Sequence, residues 1–396
     1  MYKLKGKVQH YAWGGLDFIP QLLNVSNNEQ QPYAEYWLGA HSNAPSVVQL
    51  TDNAFTKLPD MIRSEPKRYL GEKAAKQFGE LPYLLKVLDV KEMLSIQVHP
   101  TKAEAEKGFA AENEKGIPLD AAHRNYKDAN HKPEVMVALG DFWLLHGFLP
   151  KQQLTETLER TDGFNALLPL FEGKGYYGLY RYVMELPQDG VDEMLRPLAQ
   201  KIVPLYEQNK LSKMSPDFWA AKVMLDKKPA YTNFDRGIFS IYFFNLVYLT
   251  AGQAIFQGAG IPHAYLEGQN VELMSNSDNV LRGGLTPKHI DVPELLKHTV
   301  FEAITPAVID GVKNGFERTY HCPVPDFIIH AVDVPAGSTY SGKATSAEIV
   351  LLMNGEAETS GTVLHLNKGD AAVIFSGEEY QIKALQHTKI FKAAVP

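Results

Sequence analysis

The sequence has little cysteine, no excess of positive charge and no long apolar run, and each lack excludes a class of protein. Cys322 is the only cysteine among 396 residues, which excludes an internal disulfide and is typical of a reducing cytoplasm. A net charge of −7 gives no basic field that would attract nucleic acid. The longest apolar-rich stretch, 241–249, is interrupted by Asn245 and is too short to span a membrane.

What is present is the composition of a globular protein, with 45% hydrophobic and 21% charged residues. A chain of this length holds two or three domains. The basic start at 1–7 is followed by no apolar run, so we expect no signal peptide. We therefore expect a cytoplasmic monomer that has neither nucleic acid nor a membrane as its partner.

The segment 94–99 carries the most informative pattern of the chain, a strict alternation of apolar and polar residues. As a β-strand it places Ser95, Gln97 and His99 on one face and three aliphatic side chains on the other. The aliphatic face anchors such a strand in a core, while the polar face presents a hydroxyl, an amide oxygen and an imidazole in a row. The segment is therefore a candidate part of a functional site.

Two further strand candidates add ligands of the same kind. The segment 131–136 places Lys132 and Glu134 on one face, and the segment 260–265 offers His263. Two imidazoles, one carboxylate and one amide form a plausible four-ligand site for a divalent metal, with zinc as the first choice. Strand-face geometry alone does not select Gln97 over a water molecule as the fourth ligand.

The predicted elements run from strands to helices and back to strands. We expect short strands and turns over 1–100, and then one helix over 101–115 that begins with the capping residues Thr101 and Glu104. Strand patterning resumes over 134–148.

A helical insert is expected between about 150 and 230. Apolar residues recur at helical spacing over 191–205, and Ser215-Pro216-Asp217 is a typical helix start. From Gly237 onward we expect strands again.

An internal repeat is present, because 249–260 matches 366–377. Each copy has the order strand, glycine turn, strand, glycine turn, which is typical of the hairpins in a small β-barrel or jelly roll. His263 follows the first copy at the position where Tyr380 follows the second. We therefore expect two related barrels, of which only the first can bind metal through this position.

Several motifs resemble those of one enzyme family, the type I mannose-6-phosphate isomerases (phosphomannose isomerases). They span roughly the first three quarters of the chain and are Tyr-Ala-Trp-Gly-Gly (11–15), Ala-Glu-Tyr-Trp-Leu-Gly-Ala-His (34–41), Ser-Ile-Gln-Val-His-Pro (95–100), His-Lys-Pro-Glu (131–134), Gly-Ile-Pro-His-Ala-Tyr (260–265) and Asn-Ser-Asp-Asn-Val-Leu-Arg-Gly-Gly (276–284). The resemblance implies interconversion of mannose 6-phosphate and fructose 6-phosphate through a cis-enediol intermediate. It also implies one zinc ion per chain, held by Gln97, His99, Glu134 and His263.

The resemblance implies a fold that agrees with the repeat, mainly β with an α-helical insert. A cupin or jelly-roll-type catalytic barrel would be built discontinuously from 1–150 and 231–300, with the helical insert domain at 151–230. A second, cupin-like β domain would occupy 301–396.

An aldose–ketose isomerase needs a group that moves a proton between two carbons, and two candidates are present. Glu272 lies in an alternating segment, 270–274, that we place beside the His263 strand and pointing into the barrel, where desolvation would raise its pKa. A solvated strand glutamate is the simpler alternative. Lys132 is the rival acid or base, and its alternative role is a salt bridge to Glu134.

Arg282 precedes two glycines that permit a tight loop, and its guanidinium suits a phosphate or a sugar oxyanion. The resemblance makes Arg282 an active-site residue, although composition alone favours a surface arginine. Asp278 is a candidate for orienting that guanidinium. The other candidate substrate contacts are Ser95, Tyr265, Lys288, Trp13 and, with weaker support, Lys86. We assign Trp37 to the core.

The remaining histidines are expected to be hydrogen-bonded or solvated rather than ligands. This group contains His41, His123, His146, His289 and His365. Alternation points His131 away from Glu134, although the following proline restricts the local geometry and can change that count.

Two other functions stay open. An iron oxygenase would use two histidines and one carboxylate, although Gln97 as a further donor argues modestly against it. A non-catalytic sugar-binding protein is the second alternative, because Tyr380 shows that the metal position can be lost within this chain. The intact ligand set of the first barrel argues against it.

Overall fold

The chain is mainly β, with its helices concentrated between two groups of strands. The computed structural model describes residues 1–50, 54–360 and 364–396. Its strands are β1 (Tyr2–Lys5), β2 (Lys7–Gln9), β3 (Glu35–Gly39), β4 (Val47–Gln49), β5 (Phe55–Lys57), β6 (Tyr83–Val90), β7 (Gln97–Val98), β8 (Glu134–Ala138), β9 (Phe142–Phe148), β10 (Phe244–Leu249), β11 (Ala254–Gln257), β12 (His263–Ser275), β13 (Leu281–Arg282), β14 (Val312–Asn314), β15 (Glu317–Tyr320), β16 (Ile328–Val334), β17 (Thr339–Lys343), β18 (Glu348–Asn354), β19 (Glu356–Thr359), β20 (His365–Asn367), β21 (Ala371–Ile374), β22 (Glu379–Ala384) and β23 (Thr388–Ala394).

The α-helices are α1 (Phe18–Leu23), α2 (Leu58–Ser64), α3 (Pro66–Leu70), α4 (Glu72–Phe78), α5 (Lys102–Glu114), α6 (Lys151–Arg160), α7 (Leu168–Glu185), α8 (Gln188–Glu207), α9 (Pro216–Met224), α10 (Gly237–Phe243) and α11 (Val292–His298). Short 3-10 turns lie at Asn165–Leu167 and Leu225–Lys227. Across the described ranges, no helix is both long enough and apolar enough to cross a membrane.

The described strands pair as three sheets of nine, ten and four strands. The ten-stranded sheet is built around β12, which pairs with β6, β7, β8 and β9. The nine-stranded sheet has the order β14-β15-β16-β23-β18-β21-β1-β4-β5, so N-terminal strands pair with the C-terminal segment. Within the described part of the chain, the strand orders are open paths rather than closed barrels.

A β-bulge in β12 decides which of its side chains share a face. The register against β9 shifts between Tyr265 and Glu267, and Gly268 has φ +128°. One extra residue in a strand reverses the alternation beyond it. Glu272 therefore faces the same side as Tyr265, and the Tyr265 hydroxyl donates to Glu272 Oε1 at 2.9 Å.

The helical segment predicted between 150 and 230 is confirmed as secondary structure, and it packs on the sheet. Helices α6 to α9 bury their apolar faces in one cluster that also contains Ile96, Val98 and Leu266 from the strands. Ser215 caps α9, because its Oγ accepts the amide of Asp217 at 3.2 Å. The helix predicted after His99 is α5, where Thr101 Oγ1 accepts the amide of Glu104 at 3.3 Å.

Two expectations about secondary structure were wrong. The region 1–100 contains helices α1 to α4 as well as strands, and strands do not return at Gly237 because α10 occupies Gly237–Phe243. The sequence of α10 is rich in β-formers, but Asp235 Oδ1 accepts the Gly237 amide at 2.7 Å and the Leu285 amide at 2.8 Å. Tertiary contacts thus override intrinsic propensity at this point.

The predicted repeat is present as structure. Its first copy contributes the end of β10 and all of β11, and its second copy contributes β20 and β21. The two turns of the first copy are at Gly252 (φ +87°) and Gly260 (φ +79°), and those of the second are at Gly369 (φ +88°) and Gly377 (φ +86°). The glycine pattern thus reflects left-handed turns that favour glycine.

We expect Gly268→Ala to lower the free energy of unfolding by about 2–4 kcal/mol, because a Cβ there would lie 2.6 Å from the Asp141 carbonyl oxygen and φ is positive. Urea denaturation measures the change. Gly140→Ala is the matched control, since a Cβ there meets nothing within 4 Å. Equal stability of the two variants would contradict the role of the bulge.

Candidate active site

Three buried side chains converge at the centre of the ten-stranded sheet. Nε2 of His99 lies 3.5 Å from Glu134 Oε1, and Nε2 of His263 lies 3.4 Å from Glu134 Oε2. The three possible ligand atoms lie within 4.8 Å of one another. The strands fix this arrangement, because β7 leads into His99, β8 begins at Glu134 and β12 begins at His263.

Each of the two imidazoles forms a hydrogen bond through Nδ1, and the other ring nitrogen, Nε2, faces the cluster without a hydrogen-bond partner. His99 Nδ1 lies 2.8 Å from the Asn279 carbonyl oxygen, and His263 Nδ1 lies 2.9 Å from that of Ile261. A carbonyl can only accept, so each Nδ1 carries a proton, and in the neutral imidazole Nε2 then keeps its lone pair. Both Nε2 atoms are buried without a hydrogen-bond partner. Two lone pairs and a carboxylate at one point are a donor set for a divalent cation.

The charges around the cluster keep Glu134 ionised. Burial alone would raise its pKa, but Lys132 and the two imidazoles hold the pKa of Glu134 well below its usual range. Lys132 Nζ lies 2.8 Å from Glu134 Oε1. Burial and the nearby Lys132 ammonium also lower the pKa of His99, which favours the neutral imidazole. An anionic carboxylate and a neutral imidazole are the protonation states in which these side chains bind metal.

The strands around the cluster are shorter than the sequence pattern predicted. The segment 94–99 is β-structure only at Gln97–Val98, and the segment 131–136 becomes a strand only at Glu134. Ile96 and Val98 are nevertheless fully buried. Gln97 lies opposite His263 in the register and opposite Arg282 on its other side. The predicted fourth ligand is thus adjacent to the cluster, and Ser95 is half-buried two residues before it.

A second buried network lies beside the metal ligands. Lys86 Nζ lies 3.3 Å from an oxygen of Glu35 and 3.3 Å from an oxygen of Glu272, and it sits 4.9 Å from the ring centroid of Trp37. Burial would lower the pKa of Lys86, but the surrounding carboxylates raise it. Trp37 is buried, as expected, and its indole donates to Glu35.

Glu272 lies between the two groups of charges. Burial and the neighbouring Glu134 carboxylate raise the pKa of Glu272, whereas Lys86 and Lys132 lower it. The Tyr265 hydroxyl donates to Glu272, and burial raises the pKa of Tyr265 well above its usual value, so the phenol stays neutral. Contrary to expectation, Glu272 lies on the His263 strand itself rather than beside it. A buried carboxyl with a raised pKa suits proton transfer near neutral pH.

Arg282 repels two lysines, Lys288 and Lys127, and the Lys127 ammonium also donates to the carbonyls of Leu119 and Ala121. Burial and then the charge of Arg282 lower the pKa of Lys288, and burial, Arg124 and Arg282 lower the pKa of Lys127. Burial also lowers the pKa of Arg282 itself. In the described part of the chain, no carboxylate is among the groups that shift the pKa of Arg282 or Lys288. Cations that repel each other without an acidic partner suit an anionic ligand.

Two candidate contacts have other partners. Asp278 does not orient Arg282 by direct contact, because its carboxylate lies 3.3 Å from His41 Nε2 and accepts from Asn43 at 3.1 Å. Trp13 packs against the apolar cluster that contains Tyr265 and stacks on Tyr11 at 6.0 Å between ring centroids.

The other histidines are hydrogen-bonded or exposed, as expected. His146 bonds Gln257 at 2.8 Å, His365 lies 2.7 Å from Glu356, and both His123 and His289 are exposed. His131 points away from Glu134 and lies 2.9 Å from Asp326.

Sequence reasoning missed Glu35 and Lys127, and it gave Lys86 little weight. A pattern for two of them was available. Lys86 is the only lysine in the apolar strand β6, and a buried lysine needs an acidic partner. Glu35 alternates with Trp37 and so shares its face. Lys127 lies in an irregular loop, where no periodicity indicates the direction of a side chain.

The described residues thus define a β-rich protein with a buried candidate metal centre of two histidines and one carboxylate. The family model of the phosphomannose isomerase type I catalytic domain matches residues 1–151. Mannose-6-phosphate isomerase from Escherichia coli (strain K12) is 38% identical over 387 residues, covering 96% of this chain and 95% of that protein. The Homo sapiens mannose-6-phosphate isomerase is 32% identical over 418 residues, covering 97% and 95%.

Solved structures give the same result over the whole chain. Mannose 6-phosphate isomerase from Salmonella typhimurium, bound to substrate and a zinc atom, has a TM-score of 0.88 at 34% identity. The match covers 100% of this chain and 99% of that one. The chain belongs to the type I mannose-6-phosphate isomerase family.

We expect Lys86→Met to lower the free energy of unfolding by about 3–5 kcal/mol, because it leaves Glu35 and Glu272 buried without their cation. The loss should be greater at pH 8 than at pH 5. Glu272 has a raised native pKa, so the folded state holds a proton that the unfolded state releases above its usual value of 4.5, and stability falls as pH rises. Removing Lys86 raises that pKa further and deepens the fall.

Chemical denaturation at the two pH values measures this effect. Lys343→Met is the control, because its partner Glu379 is exposed and such a pair contributes little. A loss of equal size at pH 5 and pH 8 would argue that Lys86 does not set the protonation of Glu272.

Proposed function

We propose that the chain is a zinc-dependent mannose-6-phosphate isomerase that interconverts mannose 6-phosphate and fructose 6-phosphate through a cis-enediol intermediate. The observation that carries the proposal is the buried convergence of His99, Glu134 and His263, with two unpartnered Nε2 atoms, in a chain of this family. The direct test is to supply purified protein with zinc and mannose 6-phosphate and to measure fructose 6-phosphate. Absence of product would overturn the proposal.

His99, Glu134 and His263 would hold the zinc ion, with Gln97 as the fourth ligand and one ion per chain. With one anionic ligand among four, the bound ion keeps about one net positive charge, which polarises a sugar oxygen and stabilises a developing enediolate. Lys132, bonded to Glu134, orients that carboxylate and adds positive charge beside the ion.

Glu272 is the candidate that carries the proton between C2 and C1 of the sugar. It must be ionised to take the proton and neutral to return it, which requires a pKa near the working pH. Burial and Glu134 raise its pKa, while Lys86 prevents the rise from becoming extreme. Tyr265 donates to Oε1 of Glu272, and Lys86 lies 3.3 Å from Oε2, the oxygen that would act on the substrate. Lys132 is the weaker candidate because its ammonium is engaged by Glu134.

Arg282, Lys288 and Lys127 would receive the charged part of the substrate. Arg282 neighbours Gln97 across the strand register, so its guanidinium is close to the metal ligands, whereas Lys288 is exposed. We assign the dianionic phosphate to the lysine side of this group and the sugar oxygens to Arg282 and Ser95. Trp13 would lie against the sugar and Asp278 would bind a hydroxyl.

This proposal displaces the two alternative functions. An iron oxygenase would not explain the three cations Arg282, Lys288 and Lys127, because such an enzyme binds no phosphate for its chemistry. A silent sugar-binding protein would have no need of two buried imidazoles held with their lone pairs inward.

The finer architecture is part of the proposal. We assign 1–150 and 231–300 to a cupin-type catalytic domain, 151–230 to a helical insert and 301–396 to a second cupin-like domain. The pairing of β1 with β21 and of β4 with β1 supports adding these two N-terminal strands to the second domain. We also propose that the protein is a cytoplasmic monomer without a nucleic-acid partner, in line with its single cysteine and net charge of −7.

Replacing His263 with alanine should reduce zinc content from one ion per chain to near zero and abolish activity, because it removes one of three buried ligands. Elemental analysis after dialysis measures the metal. His146→Ala is the matched control, since His146 pairs opposite His263 in the register but bonds Gln257 instead. Full zinc content in the His263 variant would refute the ligand assignment.

Unphosphorylated mannose should be a far poorer substrate than mannose 6-phosphate, because binding energy from the phosphate supports the chemical step. Removing the charge in Lys288→Met should lower kcat/KM for mannose 6-phosphate by about one to two powers of ten. The small activity on mannose should not change. Lys343→Met, at an exposed pair far along the sequence, is the control. An equal loss on both sugars would place the phosphate elsewhere.

Glu272→Gln keeps the shape of the side chain and removes its proton transfer. We expect kcat to fall by about two to four powers of ten, with normal zinc content. Exchange of the C2 hydrogen with deuterated solvent should stop. If exchange and turnover persist, Lys132 becomes the proton carrier, and Lys132→Met should then show the defect.

A further inference from the structure

The correspondence between the two copies of the repeat extends, through strand pairing, to residues outside 249–260 and 366–377. Gln257 and Ile374 occupy the same position in the two copies. Gln257 lies opposite Glu134 in one sheet, and Ile374 lies opposite Glu348 in the other. The strand register therefore makes Glu348 the counterpart of the metal ligand Glu134.

Neighbouring strands continue the correspondence. Two residues after each glutamate, Met136 lies opposite Glu272 and Val350 lies opposite Lys392. Lys392 is thus the counterpart of Glu272.

The next two strands extend it further. Lys86 lies opposite Glu272, and His330 lies opposite Lys392. One strand beyond, Glu35 corresponds to Glu317 by the same register. The C-terminal unit, which is the segment 301–396, therefore carries an equivalent of each charged member of the network formed by Lys86, Glu35 and Glu272.

These counterparts also contact one another, but through Glu317, whereas Lys86 joins the network beside the metal ligands. Lys392 Nζ lies 2.8 Å from Glu317 Oε2, and His330 Nδ1 lies 3.0 Å from Glu317 Oε1. Burial would raise the pKa of Glu317, but His330, Lys392 and Tyr340 hold it far below its usual value. Charge has been exchanged between the positions, since a lysine stands where Glu272 stands in the other unit.

The metal position itself is filled by a phenol. Tyr380, the counterpart of His263, donates its hydroxyl to Glu348 Oε2 at 2.7 Å. Tyr380 lies opposite Gly342, just as His263 lies opposite Gln97. A Cβ at Gly342 would come within 2.5 Å of the Tyr380 ring, so the ring needs the glycine. The C-terminal unit is therefore a metal-free version of the active site.

A surface cavity of about 480 Å³, open to solvent over most of its extent, lies over this network. Its walls include Asn314, Phe316, Glu317, Tyr340, Ser341 and Lys392. This volume is within the range of small-molecule sites. It offers an amide, two hydroxyls and a buried lysine around an aromatic ring.

The charges of the cavity favour an uncharged ligand. Each of its ionised groups already has an opposite partner, because Glu317 accepts from Lys392, and the Tyr340 hydroxyl bonds both of them. No surplus cation remains among the lining residues to attract a phosphate, in contrast to the group around Arg282. Alternating donors and acceptors beside Phe316, which is 37% exposed, suit a ring that carries hydroxyls.

We propose that this cavity is a second carbohydrate site, which binds a neutral hexose without metal and without turnover. It is formed by the degenerate counterpart of the catalytic network in the C-terminal unit. Because the argument rests on the register and the cavity, it does not require that the first site be an isomerase.

The chain offers a clean reporter for this site. Its four tryptophans are at 13, 37, 143 and 219, so none lies in the C-terminal unit. Phe316→Trp, labelled with 5-fluorotryptophan, adds one fluorine resonance at the cavity and keeps an aromatic ring there. Titration with D-mannose or D-fructose should shift that resonance saturably at millimolar concentrations, and inorganic phosphate should not.

A second substitution identifies the source of the shift. Ser341→Trp, made in the otherwise wild-type chain, should fill the cavity and remove saturation transfer from protein to D-mannose by at least about half, with kcat/KM for the isomerase reaction unchanged. This measurement stands even if Phe316→Trp does not fold. Phe55→Ala, which removes another exposed ring, is the control for surface effects.

The possible outcomes separate the proposals. A fifth resonance that never moves, together with equal saturation transfer in wild type and Ser341→Trp, would overturn the second site. A shift with phosphate but not with neutral sugars would overturn its assignment to neutral hexoses. Failure of isomerase activity alone would affect only the first site.

Discussion

The geometry of the candidate active site depends on one irregular strand. β12 is thirteen residues long and carries His263, Tyr265 and Glu272, and strict alternation would put Glu272 on the opposite face from the other two. The bulge near Gly268 removes this conflict by shifting the register once. The proposed metal ligand and the proposed proton carrier are then held by a single element, which pairs with four other strands.

The strands around β12 place opposite charges next to one another in the buried interior. Lys132 contacts Glu134, and Lys86 contacts both Glu272 and Glu35. Each buried charge is costly alone and tolerable in a pair, so the network is stable only when complete. A bound cation would change this balance, since it would neutralise Glu134 and reduce the repulsion that raises the pKa of Glu272. The proposed metal binding and the proposed proton transfer would therefore be linked through Glu134.

The features of the fold and of the site that could be predicted from the sequence are those determined by contacts between residues close together in the chain. The alternation at 94–99 correctly indicated that Ile96 and Val98 pack in the core even though only two residues form a strand, but His99 on the polar face is fully buried as well. The capped start of α5 and the helical insert were predicted for the same reason, since caps and periodicity are local.

Features that depend on tertiary contacts were not predictable in this way. Helix α10 has a sequence of β-formers, and its first amide is capped by Asp235, whose Oδ1 also bonds Leu285 some fifty residues later. Glu272 does lie on the same side as Tyr265, but the prediction did not include the bulge that places it there, because Gly268 is the only sign of the bulge in the sequence. Asp278 was assigned to Arg282 by proximity in sequence, but it contacts His41 instead, since the loop between them has no regular period.

The two halves of the repeat show which part of the site is specific to metal. Both units keep a glutamate on β8 or its equivalent, and both keep paired acidic and basic side chains on the neighbouring strands. This pattern is therefore compatible with either His263 or Tyr380 at the position next to the glutamate. Besides the exchanged charges, the units differ at one pair of opposed residues, which is Gln97 with His263 in one unit and Gly342 with Tyr380 in the other. A phenol donates a hydrogen bond to the carboxylate, whereas an imidazole held with its lone pair inward cannot. Lys132 contacts Glu134 Oε1, and a metal ion would meet Glu134 together with the Nε2 lone pair that the hydrogen bond from His263 to the Ile261 carbonyl leaves available.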